Sequence, residues 1–566
     1  MLKIRNGDWK LLVGFSGSLL VLILLVFDWL KPLEMLSYDL RFKLRGAQKS
    51  LPSIAIVEIA DDSIQAFGRW PWARKYHGAL ISILSQSGAA AVLYDVLFTE
   101  PSDAPDDAVL EAALKVSGKV YLPCAFEVEK KDGQLVYGTE YKPLEQFSRW
   151  AKGLGQINIQ PDSDGVIRRI PLVIEREGKF YPSIALQVYL DHEGVPFERL
   201  KFIKGKPIEV PLPDGRFMRI AVDRNYQMLI NWAGVWNDTF RHYSFAEVIR
   251  AFKQKSRGET PSLNLDEFKD SFSLVGLTAI GLTDLKPVPI EPIYPGIGVH
   301  ANALQNLLER KWIRALDKSG NAALMLIAAL VTSLGLLRRK PVSGAVFTLT
   351  IVLLYFAVSY VSLAVWGVWI SAVYPILAII FNYLATTIYT QVTLAIERTR
   401  LFNLATRDGL TGLFNIRHFK LLLEAEFNSS KEKKKPLCVI MSDIDHFKKF
   451  NDTYGHQVGD LVIRETGKVF RASGRDLDVP ARYGGEELIM MLPNTRIEDA
   501  AMVAERIRKN VESHEYKDEK GSYKVTVSLG VSCLNVDSNI EELIKRADEA
   551  LYKSKEGGRN RVEVSN

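Results

Sequence analysis

Four long uncharged stretches constrain this chain more than any other feature. Residues 11–27 hold no charged side chain, and three further apolar runs cover about 320–337, 342–365 and 370–389. A run of roughly 20 apolar residues crosses about 30 Å of hydrocarbon as a helix, with its backbone groups bonded internally. Averaged composition hides this segregation: hydrophobic residues make up 47% and charged residues 24%, as in a globular protein. The opening MLKIRNGDWK and its apolar sequel are like a secretory signal, but no small-x-small site follows. Asp28, Trp29 and Lys31 come next instead, so an uncleaved transmembrane helix is expected.

Basic residues precede the first run, separate the second from the third (Arg338, Arg339 and Lys340) and follow the fourth. The positive-inside rule then puts both ends in the cytoplasm and 31–319 outside. The expected order is a cytoplasmic segment 1–10, a span in 11–30, a sensor in 31–319, three spans in 320–389, a signalling helix in 390–405 and a final domain in 406–566. Residues 366–369 are expected to make a tight turn with interfacial tryptophans.

The net charge of +6 is small for 566 residues, and no clustered basic face argues for a nucleic-acid partner. The lysine-rich stretch 431–435 reads as a solvated loop. Cys124, Cys438 and Cys533 share no short spacing, so neither a zinc site nor a disulfide framework is expected. Each reads as a small apolar filler.

Within 31–319, residues 54–59 and 90–98 read as strands and 77–86 as a helix, a βαβ rhythm. Stretches punctuated by Gly and Asp from about 153 to 235 add strands. Asp61, Asp62, Trp70, Trp72 and Asp95 read as turn and core residues, with a ligand cleft as the alternative. In 390–405, Leu394, Leu401 and Leu404 recur near heptad spacing, which favours a short parallel dimeric stalk over a plain linker.

The last domain alternates strands (437–443, 486–492, 523–533) with helices (459–472, 499–512, 540–554), an α/β sandwich. Asp443 and Asp445 end one strand, and Glu486 and Glu487 begin another after Gly484-Gly485. If the strands are neighbours, their carboxylates meet at one sheet edge. That set suits Mg²⁺, which prefers hard oxygen ligands and shares its shell with phosphates. The two glycines allow close backbone approach to a ligand.

Two resemblances follow. The strings Tyr38-Asp39-Leu40-Arg41, Gly68-Arg69-Trp70-Pro71-Trp72, Tyr94-Asp95-Val96-Leu97-Phe98 and Pro295-Gly296-Ile297-Gly298-Val299-His300 resemble CHASE type 2 extracytoplasmic sensors. Arg482-Tyr483-Gly484-Gly485-Glu486-Glu487-Leu488 resembles the signature of GGDEF-domain diguanylate cyclases, with Leu488 in place of the usual Phe. Its flanks agree: Asp408-Gly409-Leu410-Thr411-Gly412, Asp443-Ile444-Asp445-His446-Phe447-Lys448, Gly455-His456-Gln457-Val458-Gly459-Asp460 and Gly558-Arg559-Asn560-Arg561.

The resemblance implies a multidomain protein of the bacterial inner membrane. It has an α/β extracytoplasmic sensor, four transmembrane helices and a C-terminal α/β GGDEF domain of the palm, or nucleotidyl-cyclase, type. It implies condensation of two GTP to cyclic di-GMP by a homodimer, under an unknown extracytoplasmic ligand. Asp443, Glu486 and the Ile444 carbonyl are implied as ligands of Mg²⁺, with Mn²⁺ as a substitute. Glu487 is implied to assist deprotonation of the 3′-hydroxyl. Asn451 and Asp460 are implied guanine readers, and Lys448, Lys555 and Arg559 phosphate partners, beside Gly484 and Gly485. Arg475 and Asp478 form an RxxD pair which, with Arg506, implies an inhibitory cyclic di-GMP site. The competing readings are a non-catalytic cyclic di-GMP receptor and a cyclase making another dinucleotide. The carboxylates argue against the first, and Asp460 against the second.

Overall fold

The computed structural model describes residues 6–131, 134–279, 281, 285–519, 521–535 and 539–565. It divides into two compact units, Met1–Tyr389 and Thr390–Asn566. Residues 1–5 of the segment read as cytoplasmic, and residue 566, lie outside the described residues.

Asn6–Val26, Lys318–Leu336, Pro341–Trp366 and Val373–Thr406, the last of which begins in the first unit and ends in the second, are helices long and apolar enough to cross a membrane. Small residues let them approach. A Cβ at Gly17 would lie 3.0 Å from Phe381 Cβ. The Asn382 amide accepts from Ser18 Oγ at 3.1 Å and donates to the Ala329 carbonyl at 2.8 Å. The helix Val373–Thr406 runs unbroken through the stretch read as a separate linker.

The soluble part is a doubly wound sheet. Strand Ile54–Ile59 pairs in parallel with Arg241–Ser244 on one side and Phe272–Leu277 on the other. Phe272–Leu277 pairs in parallel with Ala91–Asp95, which pairs with Val120–Lys131. Alternation along Ile54–Ile59 splits the core in two. Ile54 and Ile56 pack with the helices Ile184–His192 and Gly296–Glu309, and Ala55, Val57 and Ile59 with Arg74–Gln86, Ala104–Ser117 and Phe245–Ser256.

The sensor-like strings turn out to hold buried charge. Arg168, fully buried, pairs with Asp39 (Nη2–Oδ2 2.7 Å), Asp164 (2.7 Å) and Asp162 (3.1 Å). Glu34 accepts from Arg41 Nη2 at 3.1 Å and from the Ala372 and Val373 N–H groups at 3.0 and 2.9 Å. It thus supplies acceptors to the orphan donors at the start of the helix Val373–Thr406.

Four expectations need correction. Residues 366–369 are more than a turn. Gly367 ends the helix with φ +62°, and Val368–Trp369 then forms a short strand parallel to Arg314–Ala315. Trp369 packs on Tyr38 with centroids 4.9 Å apart. Residues 431–433 are the last turn of the helix Ile416–Lys433, where lysines oppose the negative end of the helix dipole. The strand expected over 523–533 is two pieces. Gly521–Tyr523 pairs with Tyr516–Asp518, and Val527–Cys533 enters the main sheet; Thr526, between them, gives its carbonyl to the Asp445 N–H. Cys438 and Cys533 are not independent fillers. They are opposite residues of neighbouring antiparallel strands, and their side chains meet across 95 residues of sequence. Cys124 is buried.

The second unit has a six-stranded sheet. Its order is Phe414–Asn415, Val479–Gly484, Glu487–Pro493, Leu437–Ile444, Val527–Cys533 and Val562–Val564. The central strand Leu437–Ile444 is buried on both faces: Cys438, Ile440 and Ile444 join one core, and Leu437, Val439 and Met441 the other. The helix Ile540–Glu556 crosses Val527–Cys533 so closely that a Cβ at Gly530 would overlap the Ala547 and Leu551 backbone. Backbone cannot yield as a flexible side chain does. Gly530→Ala is therefore expected to destabilise this domain by about 3 kcal/mol or more, read by urea unfolding of the purified mutant and parent chains.

Candidate active site

The strand register brings the acidic residues together. Asp443, near the end of the central strand, is the direct cross-strand partner of Glu487, the first residue of the next strand. Glu486 precedes it in the turn from Val479–Gly484, where Gly485 takes φ +49°, a conformation that suits glycine. Lys555, on the helix Ile540–Glu556, puts Nζ 2.8 Å from Asp443 Oδ2. Burial pushes the Asp443 carboxyl above the usual range, and the charges of Glu486 and Asp445 add to this against Lys555. Glu487 is raised by burial, then by Asp443, Asp548 and Glu486. One ammonium thus faces a concentration of carboxyl groups that repel one another, and this calls for further positive charge.

The turn is braced by residues whose role the sequence did not disclose. The Arg482 guanidinium donates to the Gly485 carbonyl (2.9 and 2.7 Å) and pairs with Asp408 at 3.1 Å. Asp408 also accepts from Thr411 N and Oγ1, both at 2.8 Å. The string 408–412 is therefore a buttress for the Gly-Gly turn.

Asp445 does not join the cluster as an open ligand. Its oxygens accept from Thr526 Oγ1 (2.7 Å), Ser528 Oγ (2.6 Å) and the Asn560 N–H (3.0 Å), which ties the C-terminal loop to the sheet. Residues two apart on a continuous strand would share a face. Asp443 and Asp445 have different surroundings because the strand ends at Ile444, between them.

The nucleotide-reading candidates form a second group. Asn451 lies on the helix Phe447–Tyr454, and its Oδ1 is buried with no hydrogen-bond partner among the described residues. Gly459, on the next helix His456–Ser473, abuts it: a Cβ there would overlap Asn451 Oδ1. Asp460 follows, exposed. Lys448 is exposed one turn from Asn451 on the same helix. Arg559 is exposed in the loop after the helix Ile540–Glu556, with φ +64°. Among the described residues no contact links Lys448 or Arg559 to the carboxylates.

Arg475 and Asp478 close a small turn, with the Arg475 N–H 2.6 Å from Asp478 Oδ2. Both line a cavity of about 620 Å³ with Lys468, Arg471 and Arg407. Arg506 stands beside it, its Nε donating to the Ser473 carbonyl at 2.9 Å.

Among the described residues no three His, Cys, Asp or Glu side chains gather around one point. The donor set still fits a hard divalent cation: two carboxylates, Asp443 and Glu486, beside the Ile444 backbone, and burial raises the proton affinity of Asp443, which a cation would relieve.

A buried mixed sheet flanked by helices, with carboxylates from neighbouring strand ends over a braced Gly-Gly turn, is an α/β domain. The CHASE2 domain model matches residues 17–335, more than half of the chain, and the chain belongs to that family. Residues 405–561 match the model described as diguanylate cyclase, GGDEF domain. Among curated relatives, Diguanylate cyclase A of Treponema denticola is 46% identical over 177 residues, 30% of this chain and 47% of that protein. Response regulator PleD of Caulobacter vibrioides is 41% identical over 162 residues, 28% of this chain and 36% of that protein. The chain spans about half or less of the length of these relatives. The solved coiled coil and GGDEF domain of DgcB from Caulobacter crescentus, in complex with c-di-GMP, is 36% identical, with a TM-score of 0.30 over 32% of this chain and 96% of that one.

Proposed function

We propose that this chain is a membrane-bound sensor diguanylate cyclase that condenses two GTP into cyclic di-GMP and two pyrophosphates. The observation that carries the reading is the cross-strand pairing of Asp443 with Glu487 at the Gly-Gly turn, with Lys555 at 2.8 Å. The 3′-oxygen of one GTP attacks the α-phosphorus of the other. A phosphodiester bond forms, the bond to pyrophosphate breaks, and the hydroxyl proton leaves. The same exchange in the opposite sense closes the ring. Glu487, whose proton affinity is raised by burial and then by its acidic neighbours, is the acceptor for the 3′-hydroxyl proton. Lys555, Lys448 and Arg559 hold phosphate charge. The unpaired Asn451 Oδ1 and the exposed Asp460 carboxylate accept from guanine N1–H and N2–H₂, a donor pair adenine lacks. Mg²⁺, or Mn²⁺ in its place, held by Asp443, Glu486 and the Ile444 carbonyl, would supply charge neutralisation at the α-phosphate and lower the pKa of the attacking hydroxyl.

Each catalytic domain holds one GTP in this scheme, so two copies must face one another. The stalk supports such pairing: Leu394, Leu401 and Leu404 are exposed, at 43%, 56% and 69%. In this reading residues 31–319 face the outside of the bacterial inner membrane, 406–566 face the cytoplasm, and an outside signal sets the orientation of the pair.

The test is turnover of detergent-solubilised full chain with GTP and Mg²⁺ beside Glu487→Ala. The variant is expected to lose about 10²–10⁴-fold in kcat, the range of a positioned general base. Unchanged turnover would overturn the assignment.

Product returns to the cavity at Arg475 and Asp478 in the same reading. Arg475→Ala is expected to leave the initial rate near that of the parent and to raise the cyclic di-GMP concentration for half-inhibition by about ten-fold or more, as loss of a charge-assisted hydrogen bond requires. Progress curves with added product measure this.

A further inference from the structure

The first unit contains a cavity that the cyclase chemistry does not use. It lies at the carboxyl ends of the parallel strands Ala91–Asp95 and Phe272–Leu277, the end at which open α/β sheets receive ligands. Its volume is about 690 Å³, the size of a small-molecule site. Aromatic rings form its walls. Trp70 and Trp72 stand 5.2 Å apart at 74°, Trp70 and His77 5.7 Å apart at 84°, and His77 and Phe98 5.3 Å apart at 72°. These edge-to-face contacts fix the rings in place on the cavity lining.

Two polar groups on the lining lack partners among the described residues. His77 is 1% exposed, and its Nδ1 is buried without a hydrogen bond. The Asp95 carboxyl has no donor or cation, and burial alone pushes it up to about 6. Buried polar groups are normally satisfied, so His77, beside the half-buried and unpaired Asp95 carboxyl, marks a place where a partner belongs. The balance of charge says which partner. Asp95, Glu100, Asp103 and Asp106 line the cavity with one guanidinium, that of Arg74; Asp106 pairs with Lys75 Nζ at 3.5 Å, which leaves the carboxylates of Asp95, Glu100 and Asp103 in excess. Arg74 is already committed: Nη1 lies 2.8 Å from Asp107, Nη2 donates to the Glu100 carbonyl, and the group sits 5.1 Å from the Phe147 ring centre.

We propose that this cavity binds a small organic cation, an alkylated ammonium group seated against the Trp70 and Trp72 rings with its charge toward Asp95. Ring faces attract cations, and the carboxylate excess repels anions. Apolar walls favour an alkylated ammonium over a hydrated metal ion, which would demand a shell of oxygens. The cavity lies wholly within the first unit, so the proposal stands or falls independently of the cyclase reading.

The test is calorimetric titration of the detergent-solubilised full chain with choline and with its uncharged carbon isostere, 3,3-dimethylbutan-1-ol. Choline is expected to bind saturably and the isostere not to bind. Asp95→Asn is expected to weaken choline by about ten-fold or more, the loss of one desolvated charge contact. Trp70→Phe, which keeps a ring against Trp72 and His77 and removes the indole, is expected to weaken it as well. No saturable choline binding to the parent chain would overturn the proposal. So would equal binding of the isostere, or unchanged affinity in both variants with unchanged thermal unfolding.

Discussion

Asp443→Asn is expected to reduce GTP turnover by about 10³-fold or more while the domain remains folded, because charge neutralisation at a reacting phosphate contributes heavily to such catalysis. The substitution keeps the shape of the side chain and removes its charge. Asp443 is paired to Lys555 at 2.8 Å and faces Glu487 across the strand pair, so one change acts on three groups. Lys555 loses its partner, the hard-oxygen donor set falls to Glu486 and a carbonyl, and the proton affinity of Glu487 falls because its most influential charged neighbour is gone. The folded state suffers little: the raised proton affinity of Asp443 means that its charge is destabilising in place. Pyrophosphate release and urea unfolding on the same preparation separate the two effects. Turnover within ten-fold of the parent, with Mg²⁺ dependence unchanged, would remove Asp443 from the chemistry.

The second large effect is structural. Glu34→Ala is expected to destabilise the first unit by about 3–5 kcal/mol, the cost of leaving a buried charge without its partner. Glu34 is 3% exposed and Arg41 fully buried. The carboxylate takes hydrogen bonds from Arg41, the Trp369 indole (3.3 Å) and the Ala372 and Val373 N–H groups. Alanine strands all of them at once, where the helix Val373–Thr406 begins. Protease sensitivity of the loop 366–372 and thermal unfolding in detergent should move together. For a unit of this size each kcal/mol corresponds to about 1.2 °C, so a fall of about 4–6 °C is expected. A shift of under about 1 °C would show that water or another group replaces the carboxylate.

These two sites differ in how far the sequence announced them. The four apolar runs were legible because length and lack of charge decide membrane-spanning helices locally. The strand Ile54–Ile59 was legible because a β-branched run bounded by breakers has few alternatives. The carboxylates of the cyclase domain were legible through the Gly-Gly turn between two apolar strands. What stayed hidden was long-range pairing of charge. Arg168 finds Asp39 across 129 residues, and Glu34 finds Ala372 across 338. No periodicity marks such pairs, since each residue alone looks like an ordinary surface charge. The same blindness made Asp445 look like a ligand, when Thr526, Ser528 and Asn560 already occupy it. It also made Cys438 and Cys533 look unrelated, when strand register sets them opposite. Asp95 and the tryptophans 70 and 72 read as core or turn because an open cavity and a packed core draw on the same residue types; only the missing partners separate them.

Whether this chain is a cyclase is decided most simply by weighing what the purified full chain makes from GTP and Mg²⁺. Mass spectrometry is expected to find one cyclic dinucleotide containing two guanosine monophosphates, with two pyrophosphates released for each. Absence of product, or a linear or adenine-containing dinucleotide, would refute the assignment.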